Sequence, residues 1–283
     1  MLVSALPLTA VAAPPLPVAR LVQGRPTAEV AELLPRLFNL CRAAQGAAIR
    51  MALGDDFDAA DLPREIARDH LMRLGVILPA RLGLHSLPIS DGASALWAER
   101  CPQTMPELRA LMASDTGLGP VLRRLAQCFA PGEACADLPP VTEWNALREG
   151  AVENSPAVRH LGHPLLLALE AEYGRGPLWR VFARMLDLDA CLRAALPAPR
   201  GIGPGAAMVP AARGVYAIAV STIAGRVSDL TRVTPTDHLM AKDGIMAQSL
   251  ATLRAENHSL VPLLVDILDP CCKIEITGGP EHA

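Results

Sequence analysis

Arg36-Leu37-Phe38-Asn39-Leu40-Cys41-Arg42-Ala43-Ala44-Gln45 decides how this chain is read, together with its counterpart near the other end, Asp269-Pro270-Cys271-Cys272. Pro35 is expected to start a helix that runs to about Leu53, where Gly54 can close it. Leu37, Cys41, Ala44, Ala48 and Met51 would form its apolar face, and Cys41 and Gln45, four residues apart, would share one side. At the far end, Pro270 fixes the backbone just before Cys271 and so limits where that thiol can point. On periodicity alone Cys41 reads as a core thiol, Gln45 as a solvated or capping amide, and Asp269 as a helix-terminal cap.

The chain between these two stretches has 283 residues, 51% hydrophobic and 19% charged, with a formal charge of -3. That composition predicts one globular domain over 1–283 and excludes disorder for most of it. Mean hydropathy is +0.27. The only long uncharged run, Leu2 to Ala19, is broken by Pro7, Pro14, Pro15 and Pro17, so residues 1–19 read as a proline-rich segment and not as a membrane span. A basic n-region is missing as well, and a cytoplasmic protein without membrane contact is expected. Mixed charge and an aromatic content of 3% exclude a nucleic-acid platform. With few aromatic residues, the core must come from Leu, Val, Ile and Ala.

The middle predicts helices. Asp61-Leu62-Pro63 opens one, with Ile66, His70, Leu71 and Leu74 at helical spacing and Asp69 beside that stripe. Thr27 can cap a short helix through Leu34. Others are expected near 105–114, 118–129, 156–172, 177–196, 243–255 and 259–268. Pro197 to Ala212 turns to Gly, Pro and Ala and reads as a connection. Gly214 to Ser221 and Arg226 to Val233 alternate around Ala224-Gly225 and predict a hairpin. The fold class is therefore mainly α (α+β): a helical-bundle core with a small antiparallel β element.

Seven cysteines, at 41, 101, 128, 135, 191, 271 and 272, are too scattered for a disulfide scaffold. Cys101, Cys128 and Cys191 read as small buried hydrophobes. His160 and His163 would lie three apart on a helix, but no third metal ligand accompanies them.

Taken together, the two terminal stretches resemble the large subunit of nickel-iron hydrogenases. That family has Arg-x-Cys-x-x-Cys-x-x-x-His near its N-terminus and Asp-Pro-Cys-x-x-Cys near its C-terminus, and the four thiolates hold nickel and iron. Here Phe38 stands at the first cysteine, Cys41 matches the second, and Gln45 replaces the histidine. Cys271 matches the third, while Ile274 takes the place of the fourth and Cys272 is an extra neighbouring thiol. Ala212-Arg213-Gly214 looks like the family's Pro-Arg-Gly element, whose arginine hangs over the metals. Thr234-Pro235-Thr236 falls at a similar Pro-Thr segment, Asp69-His70 at another lining pair, and Ala19 near the proton-relay glutamate.

One cysteine kept from each motif is the pattern of the HupK/HoxV group of hydrogenase accessory proteins, which this chain resembles. The resemblance implies a non-catalytic maturation protein, a scaffold or carrier for the iron dicyanide carbonyl unit. Cys41 and Cys271 would be its metal ligands and nickel is not expected. Cys272 reads equally as an alternate ligand, a transfer thiol or a partner in a vicinal disulfide. Gln45, Arg213, Asp69 and Asp269 would surround the unit. The implied partners are the hydrogenase large-subunit precursor and other maturation proteins; only six residues follow Thr277, so little tail is expected for a maturation protease. Two other readings stay open, a diverged hydrogenase-like oxidoreductase, against which Phe38 and Ile274 argue, and a metal-free interaction protein.

Overall fold

The computed structural model describes residues 6–279 apart from Asn39 and Ala98; about 48% of the chain is helical and 16% is strand. It opens with β1 (Leu6–Ala12), α1 (Val18–Val22) and α2 (Thr27–Leu33). A 3-10 turn at Leu34–Arg36 leads to α3 (Arg42–Leu53) and α4 (Asp61–Met72), which passes through a π-helical turn at Arg73–Ile77 into α5 (Leu78–Arg81). The middle holds α6 (Met105–Ala113), α7 (Gly119–Cys128), α8 (Pro164–Tyr173) and α9 (Pro177–Leu192). Four strands follow: β2 (Arg200–Gly203), β3 (Ala206–Ala211), β4 (Gly214–Ile223) and β5 (Arg226–Val233). The chain ends with α10 (Pro235–Leu239), α11 (Ile245–Ala251), α12 (Val261–Leu268) and β6 (Ile274–Gly279).

Several elements begin or end where local chemistry requires it. Gly54 closes α3 in the left-handed region at φ 80°, as the sequence predicts. The start of that helix differs from the expectation: Pro35 lies in the 3-10 turn, and α3 begins only after Cys41, whose own φ of 57° ends any helix arriving from Pro35. Thr27 is the first residue of α2 and caps nothing with its side chain; Pro26 precedes it. Asp61 likewise stands inside α4 and pairs with Arg64. The hairpin is present, turning through Ala224 and Gly225, both at positive φ.

Pro197 to Ala212 is more than a connection. It contains β2 and β3, which extend the hairpin into an antiparallel sheet of order β2-β3-β4-β5. Its small residues lack alternation because both sides of β3 are covered: Ala207, Val209 and Ala211 are buried on one face, and Ala206 and Pro210 on the other. α3 lies on this sheet through Ala44, Ala47, Ala48 and Ala52, so alanine faces meet there at close range.

The expected helical-bundle core describes the molecule incompletely. One core cluster does gather helices: α9 is buried along nearly its whole length, with α4, α7, α8 and α12 against it. Trp179 and Phe182 are fully buried on α9, each contributing about 1.5–3 kcal/mol by leaving water. A second cluster is helix on sheet, formed by α1–α3 with β3–β5. β1 pairs antiparallel with β6, which sets Leu6–Ala12 against Ile274–Gly279.

Candidate functional site

Two non-glycine residues in the left-handed region hold the site from opposite ends of the chain. Cys41 is the N-cap residue of α3, and Asp269, at φ 56°, is the C-cap residue of α12. Such conformations cost of order 1–3 kcal/mol unless the surroundings hold them. At Cys41 the thiol caps nothing; Glu65 of α4 takes that part, accepting from the Ala43 and Ala44 amides at 2.8 and 3.4 Å. The Cys41 sulfur is thereby left to face a cavity of about 910 Å³. At the other end, Asp269 keeps its amide on the Val265 carbonyl, and the Cys271 amide donates to Thr236 Oγ1 at 2.9 Å.

Arg213 links the two ends. It sits in the tight turn between β3 and β4, where Asn154 holds Val215 at both backbone atoms, donating to its carbonyl and accepting from its amide. Gly214 is required in this turn: at φ 141° a Cβ would lie 2.4 Å from the Asn154 carbonyl oxygen. So placed, Arg213 donates from Nε to the Asp269 carbonyl at 3.1 Å, and its Nη2 lies 3.2 Å from Asp269 Oδ1 and 3.3 Å from Asp69 Oδ1. Its Nη1 lies 3.9 Å from the Cys41 sulfur.

Beneath Arg213 lies a buried charge network. Arg184 of α9 reaches Asp269 at 3.2 Å and Asp69 at 3.5 Å, and Arg73 also pairs with Asp269. One turn further along α9, Asp187 receives Arg159 on both oxygens, at 2.7 and 2.5 Å, along with His70 and His160, each at 2.8 Å. His70 donates from Nε2 to Asp187 while its Nδ1 accepts from Arg184, which fixes the neutral tautomer. A continuous path thus runs from Asp187 through His70, Arg184, Asp269 and Arg213 to Cys41.

The electrostatics follow from burial and from these partners. Burial pushes the Cys41 thiol up to about 11; Arg213 pulls the other way without overcoming it. Burial alone would raise Asp69 and Asp187, but Arg213 and Arg184 hold Asp69 below the ordinary carboxylate value, and Arg159 holds Asp187 well below it. For Arg213, Asp269 and Asp69 outweigh burial and keep the guanidinium charged. Burial lowers His70.

Cys41, Gln45, Arg213, Cys271 and Cys272 all line the one cavity. Asp69 and Asp269 stand behind it and orient Arg213; Asp69 faces Arg184 and Arg213. Gln45 is buried, donates to the Leu40 carbonyl at 3.3 Å and leaves its Oε1 without a partner. Its amide bonds back to the Cys41 carbonyl at 3.0 Å, so the four-residue relation holds although Cys41 only caps the helix. Cys271 is exposed and Cys272 partly so, and all seven cysteines are free. Cys101 and Cys191 are buried as expected, whereas Cys128 is only half-buried.

The histidine pair resolves differently from its sequence reading. His160 follows a 3-10 turn and serves Asp187, while His163 caps α8 through Nδ1 on the Leu165 amide. They do not share a helix. Among the described residues no group of three or more His, Cys, Asp and Glu is placed to hold a metal ion. Sequence reading missed Arg184 and Asp187, whose signal was available: with Arg180 they stand at helical spacing on one face of a largely apolar helix. It also missed Glu65, Tyr216 and Arg232, which carry no such signal.

Comparison with known proteins follows the same lines. No protein-family model matches the chain. The fold is similar to large-subunit chains of the Ni-Fe-Se hydrogenase of D. vulgaris Hildenborough. In its reduced state the TM-score is 0.60 at 11% identity, with 93% of this chain and 95% of that one covered. In its as-isolated oxidized state the TM-score is 0.60 at 12% identity, with 94% and 96% covered. In sequence, the hydrogenase expression/formation protein HupK of Rhodobacter capsulatus is 48% identical over 270 residues, 93% of this chain and 90% of that protein. Among the described residues no helix is long and apolar enough to cross a membrane. A relative of that identity and extent, on a hydrogenase large-subunit fold, shows that the chain belongs to the HupK family of hydrogenase expression/formation proteins.

Proposed function

We propose that this protein is a non-catalytic carrier in hydrogenase maturation, acting in the cytoplasm, which holds an iron dicyanide carbonyl unit as cargo and passes it to the large-subunit precursor with the help of other maturation proteins. The observation that carries the reading is the convergence of Cys41 and Cys271 on one cavity beside the Arg213 guanidinium. Thiolates are soft ligands suited to iron, and two of them leave room for diatomic ligands already on the metal. Arg213 offers a planar set of donors to cyanide nitrogen, and the orphaned Gln45 oxygen marks a buried wall with unused hydrogen-bonding capacity.

Loading would convert two S–H groups into two S–Fe bonds with release of two protons. Because burial keeps Cys41 protonated at neutral pH, its proton must leave as iron arrives, which weakens the grip relative to a preformed thiolate. A weak hold suits transfer. Nickel has no place in this reading, since Phe38 and Ile274 stand where two further thiolates would be needed.

The test is the infrared spectrum and metal content of the protein purified from cells that make the cofactor. Cyanide and carbonyl stretches with iron and without nickel are expected, and both should vanish in Cys41→Ser and in Cys271→Ser. Nickel accompanied by hydrogen turnover would replace the carrier by an oxidoreductase. Neither metal nor bands would overturn it in favour of a metal-free interaction protein.

A further inference from the structure

Arg232 lines the same cavity as Cys41, Cys271 and Arg213, on the wall formed by β5. Its guanidinium stacks on the ring of Phe38 at 4.5 Å from the centroid and lies beside the buried Tyr216 hydroxyl. Among the described residues, no carboxylate pairs with it within ion-pair distance. Two of the other charges at this cavity are engaged within the protein. Arg213 is shared between Asp69 and Asp269, and Asp237 spends its carboxylate on the Thr234 capping box. Glu149 and Lys242 also line it, but both are exposed.

A half-buried guanidinium without a counter-anion is costly to keep unless something else uses it. The ring of Phe38 offers part of the compensation through its π face, about 0.5–2 kcal/mol, and also holds the side chain in place. Stacking leaves the edge N–H donors of the guanidinium unspent and fixes where they can point.

We propose that Arg232 is a second guanidinium contact for an anionic metal complex in this cavity, positioned by Phe38 and acting alongside Arg213. The inference rests on the carrier reading above. Iron(II) bearing two cyanides, a carbonyl and two thiolates is a dianion, and its buried charge needs cationic partners. Arg213 alone is already divided between two carboxylates; Arg232 is a half-buried cation that no carboxylate holds, whereas Lys242 is exposed. Phe38 therefore does more than vacate a ligand position: it holds a positive group in the cavity wall.

The experiment has two arms, using Arg232→Met, the conservative Arg232→Lys, and Phe38→Leu, which keeps the cation but frees it. In the first, each protein is purified from cofactor-making cells, and the cyanide stretches and iron occupancy are read. Arg232→Met should shift at least one cyanide band and reduce occupancy about tenfold, the loss of one charge-assisted hydrogen bond. Arg232→Lys should restore part of the occupancy, and Phe38→Leu should lie between. In the second arm, metal-free protein is titrated with thiocyanate, and Arg232→Met should bind it several-fold more weakly than the parent. Unchanged bands and occupancy in Arg232→Met would overturn the proposal. If the parent itself shows no bands, the carrier reading fails, and the thiocyanate arm alone decides Arg232: equal affinity in parent and Arg232→Met sinks it.

Discussion

The floor and the rim of the cavity are built on opposite principles. At the floor, Asp187, His70, Arg184 and Asp269 are buried, and each ionised group meets an opposite charge or a fixed hydrogen-bond partner. At the rim, Cys271 is exposed, Leu16 and Leu40 stay partly open to solvent, and the nearby ion pair Lys273–Glu275 lies in water. The two thiols are divided between these environments: Cys41 touches the floor through Arg213, while Cys271 belongs to the rim. On the carrier reading proposed above, a charge-balanced base with one accessible thiol would fix the cargo from below and release it from above.

The largest effect should come from the floor. Asp187→Ala removes the shared partner of Arg159, His70 and His160 and strands a buried guanidinium, so unfolding in urea should show a loss of about 3–5 kcal/mol. Because the folded Asp187 carboxyl lies well below its ordinary value, its contribution is full above the unfolded value. It is lost only as pH falls toward the depressed one. Glu275→Ala at the rim should leave the same curve almost unmoved, its ion pair being solvated. Equal costs for the two substitutions would erase the distinction between floor and rim.

How much of this was legible in the sequence depends on the same contrast. Cys41, Asp269 and Cys271 stand out through the resemblance of the two terminal motifs, and Arg213 through that of Ala212-Arg213-Gly214 between them; in the structure each lies at a backbone turn that nearby residues impose. Pro270, Gly214 and Gly54 act within a few positions of the chain. The orientation of Asp69 was not legible, because it depends on Arg184 and Arg213, more than a hundred residues away. The interruption of the helix at Cys41 was not legible: Pro35 and an apolar stripe favour continuity, and only the packing of Glu65 against the new N-terminus decides otherwise. β2 and β3 were missed since Gly, Ala and Pro carry no strand preference, and α3 supplies the burial that makes them strands. The histidine pair failed for a similar reason, because Asp187 and Leu165 draw the two rings to different tasks.

A second prediction separates the two thiols directly. In the metal-free protein, iodoacetamide should modify Cys271 first, since it is exposed. Cys41 should lag, being shielded and, with its value raised from 9.0 to about 11, holding about a hundredfold less thiolate at neutral pH than an ordinary cysteine. The sign is fixed by that rise: the Cys41 rate should keep climbing with pH through 9 and level off only near 11. Peptide mapping after timed alkylation reads both sites in one experiment. Equal rates would place Cys41 at the rim as well.

The smallest effect belongs to the clasp that joins the chain ends above the cavity. Thr9 and Thr277 face each other across β1 and β6 with their hydroxyls 2.7 Å apart, both exposed. Thr9→Val removes that hydrogen bond while keeping a β-branched side chain suited to a strand, so the urea midpoint should move by less than about 0.5 kcal/mol. Local opening should still change: the Ala13 amide, which donates to the Lys273 carbonyl at 2.9 Å, should exchange its hydrogen faster, while amides of α9 keep their protection. Faster exchange confined to the clasp means that the rim opens without disturbing the buried network beneath. If α9 amides accelerate as well, rim and floor unfold as one unit, and release from above would require loosening the charges that hold Arg213.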